Sequence, residues 1–243
     1  MEALTAVKPY KKEFDYSYAL GAFPTVELIK KRPDRVTEVF IHSSFTDRDM
    51  IETLCKENGI PVRENDKTIA RLSDKENVFV IGVFRKYEDT LASDQPHLML
   101  VNPGNMGNAG TIFRTCLAFG IHDVAIITPG IDRFHPKAVR ASMGALFSLR
   151  VQCFPDFETY RKQYGTEERK LYSFMLTGKK QLTAENCPKP DLFTLIFGNE
   201  ATGLPEEYAD FSESIIIPQS PEVDSLNLTI AVGIGAYLFR RNE

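Results

Sequence analysis

The sequence predicts an α/β fold in two parts: a small α/β/α sandwich over residues 1–92, then a mostly parallel, helix-covered sheet over residues 93–243. Three observations lead there. Runs such as Leu98 to Asn102 and Leu192 to Gly198 are almost continuously apolar, so their strands are buried on both faces. Helical patterns alternate with these runs, as crossover connections between parallel strands require. A seam of small and polar residues at 88–96, Glu-Asp-Thr-Leu-Ala-Ser-Asp-Gln-Pro, separates Val78–Phe84 from His97–Val101 and marks the boundary.

In the first part, Pro24 to Lys31 reads as an early helix and Val36 to Ile41 as an alternating strand. Asp49 to Asn58 is a helix with Gly59 at its C-cap, where a left-handed residue ends the turn. A short strand at Ile60–Val62, a helix at Asp66–Leu72 and a strand at Asn77–Phe84 follow. Lys30, Lys31, Arg32 and Arg35 close the first helix, where cations offset its dipole; a solvated helix end accounts for them as well as a nucleic-acid contact does.

The second part alternates again. Strands are expected at Leu98–Asn102, Val124–Thr128, Leu149–Phe154, Leu171–Leu176, Leu192–Gly198 and Ile215–Ile217. Helices are expected at Gly110–Phe119, Pro136–Ser142, Phe157–Tyr164 and Leu226–Arg241. Ligands of such sheets gather beyond the carboxyl ends of the strands.

Composition sets limits on function. A chain of 243 residues, 43% hydrophobic and 26% charged, buries a substantial core, which excludes a disordered chain. The net charge of −4 argues against a general nucleic-acid coating protein, whose affinity comes from Lys and Arg neutralising phosphates, while leaving room for a local basic face. The N-terminus lacks a secretory pattern, and the oily stretch Leu226–Phe239 is shorter than the roughly 20 residues of a membrane span, so a cytoplasmic protein is expected. Cys55, Cys116, Cys153 and Cys187 form no Cys-x-x-Cys pair and the four histidines lack ligand spacing; reduced, mostly buried thiols and no metal are expected.

Three stretches carry polar chemistry at the ends of apolar runs. In the first, Asn108 to Arg114, Gly110 and Thr111 lie on the helix face of Arg114 and leave room beside its guanidinium, although a surface ion pair would use the same arginine. The surrounding glycines match neither Gly-x-Gly-x-x-Gly nor a Gly-Lys-Ser/Thr ending, which disfavours dinucleotide and nucleoside-triphosphate cofactors. In the second, Glu200 follows a buried strand; it is expected to pair with Arg114 or to cap the next turn, while Gly198 and Gly203 mark a positive φ or a close approach. In the third, Ser225-Leu226-Asn227 precedes a helix apolar on nearly all sides, to be buried in the core or, as preferred here, against a second copy; close packing should compensate for Gly233 and Gly235.

Taken in order, these stretches resemble the three sequence motifs of the SpoU class of RNA ribose methyltransferases, whose catalytic domains contain a deep trefoil knot. The resemblance covers about residues 97–243 and includes Ala141-Ser-Met-Gly-Ala-Leu-Phe147; residues 1–92 more weakly resemble a ribosomal-protein-like RNA-binding domain. Carried over by motif, Asn108 and Arg114 belong to the first, Glu200 to the second, and Ser225 and Asn227 to the third, as the catalytic set. Asn108 is chosen over Asn105 for its six-residue spacing to Arg114, and Asn102-Pro103 stands where the family often has Asp-Pro. The resemblance implies S-adenosylmethionine held bent in the knotted loops by groups around Leu176, Thr177, Gly198, Asn199, Gly203, Ile217 and Leu226.

It also implies transfer of a methyl group to a ribose 2′-hydroxyl, in ribosomal RNA ahead of transfer RNA. Arg114 would grip a phosphate rather than act as base, because a guanidinium stays protonated, and Glu200 would orient Arg114 and Asn108. Two other readings stand beside this one: methylation of a base nitrogen on the same fold, and an RNA-binding or assembly factor without catalysis.

Overall fold

The structure is a computed structural model that describes residues 7–73, 75, 77–188 and 190–240. The chain runs β1 (Tyr16–Leu20), α1 (Ala22–Lys31), β2 (Val36–Ile41), α2 (Arg48–Glu57), β3 (Val62–Glu64), α3 (Asp66–Leu72) and β4 (Val80–Arg85). It continues with β5 (His97–Val101), α4 (Met106–Ala118), β6 (Asp123–Ile127), α5 (Pro136–Ala141), β7 (Arg150–Phe154), α6 (Phe157–Tyr164) and β8 (Lys170–Phe174). The last elements are β9 (Lys180–Gln181), β10 (Phe193–Phe197), α7 (Tyr208–Phe211), β11 (Glu213–Ile216) and α8 (Leu228–Arg240).

By internal contacts the chain divides into two units, one of residues 1–88 with 132–148, the other of residues 89–131 with 149–243. The break after Glu88 falls at the polar seam. The segment 132–148, which the sequence assigns to the second part, packs with the first. Its aromatic side chains explain why: Phe134 and Phe147 meet Phe84 edge-on at 5.8 and 5.2 Å, and Ser17 Oγ donates to the Phe134 carbonyl.

The first unit holds a four-stranded sheet in the order β1-β4-β2-β3. β4 is antiparallel to both β1 and β2, and β3 joins β2 in parallel. β1 was not anticipated: Tyr-Ser-Tyr-Ala-Leu looks half polar, but the structure buries Tyr16, Ser17, Tyr18 and Ala19.

The second unit is a seven-stranded sheet, β7-β6-β5-β10-β8-β11-β9, in which every registered pair is parallel. Strands β5, β6 and β7 build outward in one direction, then the chain returns to the other side of β5. β10 lies between β5 and β8, so the loops leaving β5 and β10 emerge side by side, the arrangement that opens a crevice at strand carboxyl ends.

The opposite, amino-terminal edge of the sheet is closed by a buried polar network. Arg169 donates to the carbonyls of Tyr164, Phe193, Ser93 and Gln95; His97 Nδ1 meets the Tyr160 hydroxyl at 2.8 Å; and Asp123 holds Arg150. Each group there has the partner that burial demands.

α8 buries Val232, Gly235, Ala236 and Phe239, packs on α4, and donates from Arg240 Nε to the Phe119 carbonyl at 3.3 Å. A Cβ on Gly235 would lie 2.8 Å from the Phe174 ring, so this glycine is there for close packing, whereas Gly233 faces open space. Ile230 and Tyr237 remain more than half exposed on the other side. The last predicted helical residue, Arg241, lies outside the described residues.

Candidate functional site

The site is built where the loops after β5, β8, β10 and β11 meet. α4 begins at Met106, four residues before the predicted start, because Asn105 caps it: its side-chain oxygen accepts the Gly107 and Asn108 N–H groups at 2.9 and 3.1 Å. The glycines of this loop disguised its first turn as coil. With Asn105 occupied as a cap, Asn108 is the asparagine left to face the second loop.

Asn108 Nδ2 donates to Glu200 at 3.2 Å, and the same carboxylate accepts the N–H groups of Gly104 at 3.0 Å and Asn105 at 3.2 Å. The predicted Glu200–Arg114 ion pair is not formed. Glu200 caps a turn, though the turn belongs to the first loop rather than its own. Arg114, two turns along α4, is exposed and has no hydrogen bond or ion pair among the described residues. Desolvation would raise the pKa of Glu200, but the donors at Gly104, its own backbone N–H, Asn108 and Asn105 outweigh it and hold the carboxyl below its ordinary range. A carboxylate so held binds structure together and is a poor proton acceptor.

The loop after β10 is a tight hairpin-like turn closed by the Asn199–Gly203 bridge. Gly203 adopts φ 69°. Gly198 is fixed for the other reason expected of a glycine: a Cβ there would sit 2.2 Å from the Gly203 carbonyl carbon. The Asn199 side chain is consumed internally, with Oδ1 accepting from Ala201 and Thr202 and Nδ2 donating to the Asn102 carbonyl at 2.7 Å. Its main-chain N–H and carbonyl are also paired, with Gly203, so residue 199 shapes the wall of the cleft.

Asn227 caps α8, its Oδ1 accepting the Thr229 N–H and hydroxyl, each at 2.8 Å. Ser225 and Leu226, just before it, face a cleft of about 360 Å³. All seven residues that the sequence assigned to a cofactor, Leu176, Thr177, Gly198, Asn199, Gly203, Ile217 and Leu226, line this cleft, as do Glu200 and Ser225. Asn108, Arg114 and Asn227 are not among its lining residues.

The cleft's chemistry is selective. Its walls are apolar at Phe174, Phe197, Ile215 and Leu204, and among the described residues the main-chain groups of Leu176, Ile217 and Leu226 have no hydrogen-bond partner. Among the described residues no Lys, Arg or His lines it, while Glu200 and Glu206 do. Such a site suits a flat heterocycle read by backbone amides on a ligand with positive charge, and disfavours phosphates. Glu206 and Gln219 were missed by the sequence reading, because nothing in their spacing indicates which side chains flank a cleft made by three distant loops.

The SpoU rRNA Methylase family model matches residues 95–237. The chain is 30% identical over 165 residues to an uncharacterized tRNA/rRNA methyltransferase of Synechocystis, covering 63% of this chain and 60% of that protein. It is 27% identical to the 23S rRNA (guanosine(2553)-2′-O)-methyltransferase RlmP of Bacillus subtilis, over 66% of this chain and 64% of that one. The matched stretch thus spans less than two thirds of either relative. An AdoMet-bound rRNA methyltransferase from Sinorhizobium meliloti superposes with a TM-score of 0.78 at 25% identity, covering 93% of this chain and 87% of that chain.

Proposed function

Because this chain belongs to the SpoU rRNA Methylase family, we propose that it transfers the methyl group of S-adenosylmethionine to a ribose 2′-hydroxyl of ribosomal RNA. The observation that carries the proposal is the cleft at the strand carboxyl ends, apolar and, among the described residues, lined by unengaged backbone groups and free of cationic side chains. It fits a purine on a positively charged sulfonium. When bound, the cofactor supplies an electrophilic methyl group.

In this reading the backbone around Leu176, Ile217 and Leu226 holds the base, and the turn 198–203 shapes the wall beside it. Glu200 and Asn108 lock the loops after β5 and β10 together, as positioning residues. Arg114, charged and unpaired among the described residues, grips an RNA phosphate and stabilises negative charge developing on the attacking oxygen. The hydroxyl's proton passes to water or to that phosphate, since Glu200 is held in its ionised, hydrogen-bonded form. Asn227 and Ser225 set the start of α8 at the edge of the cleft.

The proposal extends to the whole chain. The loops after β8, β10 and β11 form a deep trefoil knot, one of the rare exceptions to unthreaded topology. Residues 1–92 act as an RNA-binding domain, with Lys30, Lys31 and Arg35 on its RNA face and Arg32 committed to the Phe147 carbonyl, and residues 93–243, apart from the 132–148 segment that packs with the first unit, act as the methyltransferase domain. Two copies pair through α8, supported by the exposed stripe of Ile230 and Tyr237. A ribosomal substrate puts this work in the cytoplasm.

The test is Arg114→Ala. Tritium transfer to ribosomal RNA should fall by roughly a hundredfold to a thousandfold while calorimetric S-adenosylmethionine affinity changes less than twofold. Equal loss of both sinks the assignment. Digesting the product RNA to nucleosides separates ribose from base methylation, and a wild-type protein that binds no S-adenosylmethionine would leave the non-catalytic reading standing.

A further inference from the structure

Glu206 lines the cleft but belongs to none of the three loops' internal networks. Its partner is the Thr177 hydroxyl, at 3.3 Å from one carboxylate oxygen and 3.4 Å from the other, a shared contact near the limit of a hydrogen bond. Both side chains are exposed, and Glu206 is in no ion pair among the described residues. Glu200, by contrast, is saturated with N–H donors.

We propose that Glu206 and Thr177 form the subsite for the ribose diol of the cofactor's adenosine, the carboxylate accepting hydrogen bonds from the two vicinal hydroxyls. This rests on the methyltransferase reading and adds a specificity-determining pair to it. Two carboxylate oxygens with open lone pairs match two adjacent hydroxyl donors, the use to which acidic residues are put in dinucleotide sites. The apolar end of the cleft, where Phe174 stacks on Phe197 at 4.3 Å, takes the base, which leaves the adjoining sugar at the polar rim.

Two other parts of the ligand fit Glu206 less well. The methionine end is a zwitterion: Glu206 would attract its ammonium but repel the adjoining carboxylate, so the net gain there is small, and among the described residues no cation lines the cleft to receive that carboxylate. The sulfonium loses its charge during transfer, so an anion beside it would stabilise the ground state more than the transition state and slow the reaction.

Calorimetry of the full chain with S-adenosylhomocysteine and with its 2′,3′-dideoxy counterpart tests this. Glu206→Gln should weaken S-adenosylhomocysteine by roughly tenfold to a hundredfold, as expected for charge-assisted hydrogen bonds, and Thr177→Val by a few-fold. The dideoxy ligand should bind wild type weakly and lose less than twofold more in Glu206→Gln. Equal losses on both ligands would assign Glu206 to another part of the molecule and overturn the inference, as would undiminished S-adenosylhomocysteine binding by Glu206→Gln. Wild type that binds neither ligand overturns the methyltransferase reading itself. Both variants change exposed side chains, so melting temperatures within about 2 °C of wild type, on the scale of a surface substitution, certify the comparison.

Discussion

Removing the Glu200 side chain should loosen the junction between the loops after β5 and β10. Its carboxylate accepts from Gly104 N–H, Asn105 N–H and Asn108 Nδ2, at 3.0 to 3.2 Å. A hydrogen bond to a charged group contributes about 1.5–3 kcal/mol net. The site is partly open, and water can replace the carboxylate at the two main-chain donors, so about 1 kcal/mol each is the better scale. Glu200→Ala should then cost about 2–3 kcal/mol, a fall of roughly 5–10 °C in melting temperature for a chain of this size. Glu200→Gln keeps one acceptor oxygen but turns an NH₂ group towards donors, and should cost about half as much.

The effect depends on pH with a definite sign. The folded carboxyl titrates below its ordinary value of 4.5, so its contribution is complete above that value and is lost as pH falls through the lower folded pKa. Scanning calorimetry of wild type and Glu200→Ala should show the gap at pH 7 closing as the pH is lowered from about 5 towards 3. A variant melting within 1 °C of wild type at pH 7, or a gap that widens in acid, would refute the assignment of these hydrogen bonds.

Gly198→Ala places a methyl group 2.2 Å from backbone, with no flexible side chain to move, and should cost about 3 kcal/mol or more; Gly203→Ala meets open space and only the left-handed penalty of about 1–2 kcal/mol. Urea melts showing the reverse order would contradict the geometry. His97 is held down to about 4, first by burial and then by the Arg169 charge, so the unfolded chain takes up a proton between about pH 6.5 and 4 that the folded chain refuses. Urea midpoints should therefore decline from pH 7 to 5, and a profile flat over that window would remove the effect. Sedimentation velocity should find wild type dimeric and Ile230→Glu monomeric, because the substitution charges the exposed apolar stripe of α8; a wild-type monomer would end the pairing proposal.

Much of the second unit was legible in the sequence because its central strands, β5, β6 and β10, are buried along their whole length. Continuous apolar runs gave β5, β6, β10 and β11 to within a residue or two, and the two-sided burial implied a parallel sheet. α4 was predicted short, since glycines near its start hid a capped first turn, and β1 was missed because Tyr16 and Ser17 look exposed until Phe14 and Tyr18 pack on the one and the Phe134 carbonyl accepts from the other.

The three loop stretches are likewise legible from local pattern, including the close approach at Gly198 and the positive φ at Gly203, whereas the catalytic set within them rests on the family resemblance. What each side chain does could not. Pattern suggested that Glu200 faces Arg114, while the fold gives Glu200 to backbone N–H groups 95 and 96 positions away and leaves Arg114 exposed. Glu206 and Thr177 meet across 29 residues with nothing in their spacing to announce it. Which segments are buried and where the chain turns can be read residue by residue, because burial and turning are local consequences of side-chain polarity and backbone freedom. The partners of a charged group depend on which strand ends become neighbours, and the insertion of β10 beside β5 decides that only when the whole sheet is assembled.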